Sequence, residues 1–273
     1  MSDRSVPPGV DPTKPSAGRI YDLFLGGSDY FDVDLKVAET IRQICPEAED
    51  AAWANRGFLQ RSARWLALQG VRQFIDIGAG LPTRNNTHEA VRAVNPSART
   101  VYVDNDPTIL AHARALLVGL PDTAYIAGEL RDPDAVLDSP ELRAMIDLGK
   151  PVGLMLAAIM HFVADKDDPW ALVRRYLDAL APGSYLALSH ATSDRTNPAV
   201  IQHTKALYAS ATEQLYFRPA VDIERFFEGL ELQPAYDGAP DGLSYTGLWG
   251  ADDPVEADTD GSRWLICGVA KKP

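Results

Sequence analysis

The chain has 273 residues, 46% of them hydrophobic, and its 26 Lys and Arg against 38 Asp and Glu give a formal net charge of −12. The length suits one large α/β domain with modest additions and argues against two independent domains. The acidic balance, with no cluster of Lys and Arg, argues against a nucleic-acid partner and favours small-molecule chemistry.

The cysteines and the apolar pattern predict the compartment in which the chain works. Cys45 and Cys267 are far apart and fit neither a metal-ligand spacing nor a disulfide framework, which is typical of a reducing compartment. The opening MSDRSVPPGVDPTKPSAG lacks the apolar run of a secretory signal, and no segment approaches the roughly 20 apolar residues that cross a bilayer. We therefore expect a cytoplasmic chain with no metal and no membrane partner. The sequence does not indicate its oligomeric state.

Helical patterns precede the first strong strand. Residues 1–17 are rich in Pro, Ser and Gly, which predicts a mobile tail. From Gly18, apolar residues on both sides of Gly26-Gly27 predict a short helix, a break and a second helix from about Val33. We expect 18–70 to form an N-terminal helical cap or lid that makes one globular unit with 71–273.

A third helical pattern covers 51–70 and ends at Gly70, which we interpret as a C-cap. Its large apolar residues fall on roughly one face, which predicts core packing by Trp53, Phe58, Trp65 and Leu66.

From residue 71, short apolar runs alternate with helical patterns. The predicted strands are VRQFIDIGAG, RTVYVD, TAYIAG, PVGLMLAAI and GSYLALSHA, and the helical segments between them are NNTHEAVRAV, PTILAHARALLV, DPDAVLDSPELRAMI and DDPWALVRRYLDALAPG. Such alternation predicts an α/β fold whose sheet is mostly parallel, with helices on both faces and right-handed crossovers. Helical patterns over 198–215 and 221–227 follow, then two candidate closing strands, LELQPAYDG and RWLICGVAKK. The loop 237–262 shows weak signals for order.

The first predicted strand runs into a glycine turn. Gly78 and Gly80 let the backbone turn tightly and approach a ligand at the carboxyl end of the strand, where open parallel sheets bind their ligands. Such a turn suits a dinucleotide or S-adenosylmethionine. Asp76 favours the second, because a carboxylate repels a pyrophosphate and attracts the cationic amino group and sulfonium of S-adenosylmethionine. Thr83 also replaces the third glycine of a G-x-G-x-x-G pattern.

Acidic residues end the next two strands. Asp104 stands 24 residues after Gly80, about the spacing at which a carboxylate accepts hydrogen bonds from both ribose hydroxyls. The corner after the third strand is expected around an adenine ring, although Asp132 is alternatively the N-cap of a helix that begins at Pro133. Small residues after the fourth strand leave room for cofactor and substrate to meet. The predicted cofactor-binding residues are Asp76, Gly78, Ala79, Gly80, Asp104, Asn105, Glu129, Leu130, Asp132 and Ala157.

Several of these segments, taken together, resemble those of a known protein family. FIDIGAGLPT, NNTHEAV, VYVDNDP, LRDP, MHFVAD and AGRIYDLFLGGSDYF together resemble the bacterial S-adenosylmethionine-dependent methyltransferase family once catalogued as DUF574, from about Ser16 to Lys271. The resemblance implies a class I Rossmann-like fold with seven strands, the last one antiparallel, and it implies little about the methyl acceptor. It carries Asp76, Gly78, Gly80, Asp104 and the corner from Glu129 to Asp132 over as cofactor positions. One departure is Glu129, where the family pattern has Asp, so the contact to adenine could shift to Asp132 or to a backbone amide.

The sequence also offers candidate catalytic and substrate-binding residues. His161 follows the fourth strand and is a candidate general base, with a hydrogen-bonded wall residue as its structural alternative; His190, at the end of the fifth strand, is read in the same way. The N-terminal block combines a glycine pair, aromatic rings and charges, which suits either a lid over the site or a helical cap over one sheet edge. Its residues are Arg19, Tyr21, Asp22, Gly26, Gly27, Asp29 and Tyr30.

Three functions remain open from the sequence. The leading hypothesis is S-adenosylmethionine-dependent methyl transfer to a small-molecule acceptor, in which catalysis comes mainly from alignment. The alternatives are a NAD(P)-dependent oxidoreductase and a non-catalytic protein that binds S-adenosylmethionine.

Overall fold

A twisted, mostly parallel sheet forms the centre of the protein. The computed structural model describes residues 6, 9–82, 86–110, 120, 122–194 and 196–273. Its strands are β1 (Gln73–Ile77), β2 (Arg99–Asp104), β3 (Thr123–Ala127), β4 (Gly153–Ala157), β5 (Tyr185–Ala191), β6 (Glu231–Leu232), β7 (Ser244–Tyr245) and β8 (Leu265–Lys271). The order across the sheet is β3-β2-β1-β4-β5-β8-β6, and β7 also pairs with β8.

Strands β1 to β5 run parallel, and β8 runs antiparallel to β5. All residues of β1 and β5 are buried, as expected for central strands covered on both faces. One core cluster includes Ile75, Leu154 and Leu186, and a second, on other side chains of the same strands, includes Phe74, Met155 and Ala187. The alternation of neighbours between the two clusters is the period-2 pattern of strands with two covered faces.

Three helices precede the sheet: α1 (Ala17–Phe24), α2 (Asp32–Ile44) and α3 (Ala48–Leu68). Helix α1 ends in a Schellman motif, in which Gly26 N–H donates to Leu23 O and Gly27 N–H donates to Asp22 O. Gly26 has φ +78°, and a Cβ on Gly27 would lie 2.0 Å from the Asp22 carboxylate, so both positions need glycine. The predicted break is therefore a helix terminus.

Helix α3 ends in the same way. Gly70 has φ +90°, its N–H donates to Ala67 O, and Val71 N–H donates to Leu66 O, which confirms the predicted C-cap. The predicted packing face is only partly right. Phe58 and Leu66 are fully buried, whereas Trp53 is 55% exposed because it falls on the outer side of the helix.

The remaining helices connect the strands. They are α4 (Thr87–Arg92), α5 (Pro133–Leu137), α6 (Pro140–Met145), α7 (Pro169–Asp178), α8 (Pro198–Tyr208), α9 (Ala220–Glu224) and α10 (Pro254–Ala257). Residues 107–110 are helical, while 111–119 lie outside the described residues, so the helix predicted over 107–118 is described only in part. Thr83 also lies outside them.

The predicted α/β class and its parallel sheet are confirmed, and the differences lie near the C-terminal end. The strand expected over 230–238 is reduced to the two residues of β6, since Pro234 has no N–H for a sheet ladder. The loop 237–262 holds β7, α10 and Trp249, which is 2% exposed and packs edge-on against Phe58. Within the described ranges, no helix has the length and apolar character that crossing a membrane requires.

The boundaries of the tail, the cap and the main unit stay predictions. Residues 15–17, at the end of the predicted tail, are buried, and Pro15 O accepts a hydrogen bond from Thr212 N–H.

Candidate functional site

A cavity of about 460 Å³ lies at the carboxyl ends of β1, β2 and β4. Because β2 and β4 flank β1 on opposite sides, this is the point where strand order reverses and where open α/β sheets bind ligands. The volume falls within the roughly 300–1,000 Å³ of small-molecule sites. We call the part lined by the strand ends, residues 76–80, 104–109 and 157–159, the strand-end half. The part lined by α1, α3, α8, residue 162, residues 212, 213, 215 and 217 and residues 264–265 is the helical half.

The glycine turn after β1 forms one wall of the strand-end half. Gly78 and Gly80 have φ +70° and +67°, values that L side chains rarely adopt. A Cβ on Gly78 would lie 2.3 Å from Ile159 Cγ1, so this glycine allows β1 and the segment after β4 to meet. A Cβ on Gly80 would meet nothing within 4 Å, so this residue borders open space. Tyr125 Oη donates to Gly80 O at 3.0 Å and holds the turn from below.

Asp104, at the end of the neighbouring strand β2, accepts a hydrogen bond from the glycine turn. Its Oδ2 accepts from Gly80 N–H at 3.0 Å and its Oδ1 from Asp106 N–H at 3.0 Å. Burial raises the pKa of Asp104 to about 6, against the lowering effect of these amides. The amide of Gly80, which a phosphate would need, is already engaged by a carboxylate.

Asp76 lies beneath the same turn and is 3% exposed. Its Oδ2 accepts from Thr87 Oγ1 at 2.6 Å, which ties β1 to the start of α4. Burial raises the pKa of Asp76 to about 6, while the Thr87 hydroxyl and the charge of Arg56 oppose that rise. The strand-end half therefore holds two buried carboxyl groups that are costly to ionise without a cationic or hydrogen-bonding ligand.

A smaller cavity of about 50 Å³ adjoins this half and shares Gly78, Asp104 and Asn105 with it. Glu129 and Leu130 line it as well. Glu129 accepts from Asn105 Nδ2 at 2.7 Å and from Arg131 N–H at 3.0 Å. Arg131 also forms an ion pair with Glu213 at 2.8 Å, so side chains from the ends of β2 and β3 and from the helical half meet at this point.

Asp132 is a helix N-cap, which is the structural alternative to a contact with adenine. Its carboxylate accepts from Ala135 N–H at 3.1 Å as the N-cap of α5, and it lines neither cavity. Ala79 and Ala157 line the large cavity with the other predicted strand-end residues.

A chain of buried hydrogen bonds joins β4 to the N-terminal helices. Ala158, with φ +54°, donates its N–H to Ser189 Oγ at 2.9 Å, and Ser189 Oγ donates to Asn55 Oδ1. Asn55 Nδ2 donates to Tyr21 Oη at 2.8 Å, and Tyr21 Oη donates to Ala52 O. A left-handed non-glycine residue is sterically strained, and here it lines the cavity.

The two candidate histidines are buried, and burial favours the neutral form of both. His161 lines the large cavity, and its Nδ1 accepts from Ala191 N–H at 3.2 Å, which leaves the ring proton on Nε2. Burial, with the charge of Arg218, lowers the pKa of His161 to about 3. His190 is fully buried behind it, where Nδ1 donates to Ala191 O and Nε2 accepts from Arg218. His190 does not reach the cavity.

Some residues of the N-terminal block line the cavity, and others hold the block together. Arg19 and Tyr21 line the large cavity, whereas Asp22, Gly26, Gly27 and Tyr30 do not. Arg19 is also a structural tie, since its Nε donates to Asp34 at 2.7 Å and both side chains are buried. Asp29 N–H donates to the Asp22 carboxylate at 3.3 Å in the turn after α1. Whether the block acts as a lid over the site or as a helical cap over one sheet edge stays a prediction.

Several wall residues were not predicted from the sequence. Asn55 and Arg56 are polar residues inside the third helical pattern, and both are buried facing the cavity. Their local signal is weak, because the same helix also carries other polar residues such as Gln60 and Arg61. Thr87 and Tyr208 have no comparable local signal, because their positions depend on long-range packing.

Comparisons with known proteins agree with this geometry. A family model described as S-adenosyl methyltransferase matches residues 3–273. The structure is similar to a putative methyltransferase from Thermobifida fusca YX, with 39% identity, 97% of each chain covered and a TM-score of 0.88. A DUF574 family protein from Streptomyces avermitilis MA-4680 is 37% identical, with 96% of this chain and 99% of that chain covered and a TM-score of 0.89.

More distant structures share the fold alone. An O-methyltransferase family protein from Burkholderia thailandensis is 15% identical, with 95% of this chain and 64% of that chain covered and a TM-score of 0.51. A comparison with curated proteins finds no match.

Proposed function

The chain belongs to the S-adenosyl methyltransferase family, and from that premise we propose that it transfers the methyl group of S-adenosylmethionine to a small-molecule acceptor held in the helical half. The observation that carries the proposal is the pair of buried carboxyl groups, Asp76 and Asp104, beside the glycine turn. The cytoplasmic location stays a prediction from the sequence.

The residues of the strand-end half fit this methyl donor. Gly80 leaves open space where a side chain would stand, so a ligand can approach the backbone closely. Asp104 would accept hydrogen bonds from ribose hydroxyls, and the 50 Å³ cavity beside it, with Leu130 and Glu129, would receive the edge of the adenine ring. Asp76 would face the cationic methionine portion, with Arg56 limiting the net negative charge.

When bound, S-adenosylmethionine supplies a methyl group on a positively charged sulfur, which is already activated for transfer. The contribution of the chain is therefore alignment and exclusion of water. His161 is not suited to remove a proton, because its free ring nitrogen already carries one and its pKa is about 3. We propose instead that His161 donates a hydrogen bond from Nε2 at the wall of the cavity.

The two alternative functions make different demands on the site. A NAD(P)-dependent oxidoreductase would need loop amides for a pyrophosphate, and the Gly80 amide is directed at Asp104 instead. A protein that binds the cofactor without catalysis needs no acceptor site, whereas this cavity continues well beyond the strand ends into the helical half.

Calorimetric titration tests the proposal. We expect S-adenosylmethionine to bind to the wild-type protein and NADH not to bind. We expect Asp104→Ala to weaken S-adenosylmethionine by roughly 10- to 100-fold, since hydrogen bonds to a charged group contribute about 1.5–3 kcal/mol. Asp178→Ala, at an exposed position on α7, is the matched control and should bind normally. Preferential binding of NADH, or affinity indifferent to Asp104→Ala, would contradict the assignment.

A further inference from the structure

The helical half of the cavity has a distinct chemical character. Its walls carry aromatic rings from five segments of the chain, supplied by Phe24, Phe162, Tyr208, Phe217 and Trp264. The rings of Phe162 and Tyr208 lie 6.2 Å apart, and those of Phe217 and Trp264 lie 6.5 Å apart in an edge-on arrangement. Rings placed in this way favour a flat aromatic ligand, which can present both its face and its edge.

The charged side chains described around this half already have partners. Arg19 is paired with Asp34 at 2.7 Å, and Glu213 is paired with Arg131 at 2.8 Å. Arg56 donates to Asn86 Oδ1 at 2.9 Å, and its charge acts on Asp76. An ionised ligand would have to give up its hydration without gaining a counter-charge of its own, which is costly in a buried site.

Tyr208 stands out among the wall residues. It is 8% exposed and lines the cavity, and its hydroxyl makes no hydrogen bond to any residue in the described part of the chain. Burial raises the pKa of Tyr208, so the phenol keeps its proton at neutral pH. A buried phenol usually finds a partner.

Thr204 lies one helical turn earlier on α8 and faces the same cavity. It is 7% exposed, and its Oγ1 has no hydrogen-bond partner among the described residues. Two unpartnered hydroxyl groups at i and i+4 on one face of a helix mark a place where a ligand would supply the missing polar group.

We infer that the helical half binds an uncharged, planar aromatic molecule, and that Tyr208, assisted by Thr204, hydrogen-bonds to a hydroxyl group of that molecule. This inference rests on the proposed function, because it assigns the class of acceptor to the same cavity. Tyr208 is a binding residue in this scheme, and no proton transfer is assigned to it.

Binding of 2-naphthol in the presence of S-adenosylhomocysteine tests the inference in the full chain. We expect 2-naphthol to bind to the wild-type protein and 2-naphthoate, its anionic counterpart, to bind at least 10-fold more weakly. Tyr208→Phe should weaken 2-naphthol by roughly 2- to 12-fold, the range that one hydrogen bond of about 0.5–1.5 kcal/mol provides, and Thr204→Val should weaken it less. Naphthalene, which has no hydroxyl, should bind equally to the wild-type protein and to Tyr208→Phe.

The controls separate this inference from the proposed function. Tyr216→Phe removes a phenol that donates a hydrogen bond to Gln214 outside the cavity, and Thr40→Val removes a hydroxyl at an exposed position on α2, so both variants should bind 2-naphthol normally. If S-adenosylhomocysteine itself does not bind, the proposed function fails. If it binds but 2-naphthol does not, or Tyr208→Phe weakens naphthalene as much as 2-naphthol, or 2-naphthoate binds as tightly, the inference fails alone.

Discussion

The amide of Gly80 donates a hydrogen bond to the carboxylate of Asp104 across 3.0 Å, so the turn after β1 is held by a side chain from the end of β2. Both residues also line the cavity. The site is thus built by the contact between two parallel strand ends, and any ligand that engages Asp104 also touches the group that orders the turn.

Replacing Gly78 with alanine should strongly destabilise the fold. The new Cβ would lie 2.3 Å from Ile159 Cγ1 at a residue with φ +70°. The backbone strain costs about 1–2 kcal/mol and the overpacking adds about 1–3 kcal/mol, so we expect a loss of roughly 2–5 kcal/mol in the free energy of unfolding by urea. Gly80→Ala is the matched control, because it has the same backbone strain with nothing within 4 Å, and it should lose only about 1–2 kcal/mol. Equal losses would refute the packing argument.

Asp76→Asn should stabilise the unliganded protein at neutral pH. The pKa of Asp76 is raised from 3.8 to about 6, so the folded state holds the proton more tightly than the unfolded state. Its contribution to stability is therefore fully present below pH 4 and is lost as the pH rises through 6, a difference of up to about 3 kcal/mol. The stability advantage of Asp76→Asn over the wild type, measured by urea unfolding, should be positive at pH 7.5 and shrink towards pH 5.

The same substitution should weaken the binding of S-adenosylmethionine at pH 7.5, because the neutral amide offers no charge to a cationic ligand. A variant that is both more stable and weaker in binding is the expected outcome. A constant stability difference between pH 5 and pH 7.5 would show that Asp76 does not titrate as its burial implies.

Asp132→Ala should reduce stability without reducing cofactor affinity. Its carboxylate caps α5 through Ala135 N–H, and loss of such a cap costs about 1 kcal/mol. Ser139→Ala removes the corresponding cap of α6 and should behave alike in urea unfolding and in calorimetry. A clear loss of S-adenosylmethionine binding in Asp132→Ala alone would restore its predicted contact with adenine.

Neither His161 nor His190 should titrate between pH 5 and 8. Burial and the nearby Arg218 charge lower the pKa of His161 to about 3, and burial keeps that of His190 well below its ordinary value. Imidazole resonances followed by heteronuclear NMR should therefore stay those of the neutral ring over this interval. A midpoint for His161 near 6.5, the ordinary value for histidine, would reopen its role as a general base.

The sequence predicted the parts of the site that lie where strands end. Asp76, Gly78 and Gly80 follow a buried apolar run, and Asp104 ends the next one, so their convergence follows from the rule that parallel strands bring their carboxyl ends to one edge. The two-residue length of β6 also has a local cause, because Pro234 has no N–H for the longer strand that the apolar pattern predicts.

The helical half could not be predicted in this way. Asn55 and Tyr208 belong to helices far apart in the chain, and periodicity tells which face of a helix is buried but not which helix it meets. Trp249 shows the same limit, since a polar, glycine-rich loop delivers it to the packing surface of α3. The Gly26-Gly27 pair illustrates a second limit of sequence prediction. Glycines suit a hinge and a helix terminus equally, and only the hydrogen bonds in the structure distinguish the two roles.

Strand β8 lies between β5 and β6, although it follows both in the chain. Seven of its residues pair with β5, from Leu265 opposite Ala191 to Lys271 opposite Tyr185. During synthesis on the ribosome, this edge of β5 therefore stays unpaired until residues 265–271 emerge. A nascent chain halted before that point would expose to other chains the edge of a strand that is fully buried in the folded protein, so the closing segment protects against aggregation.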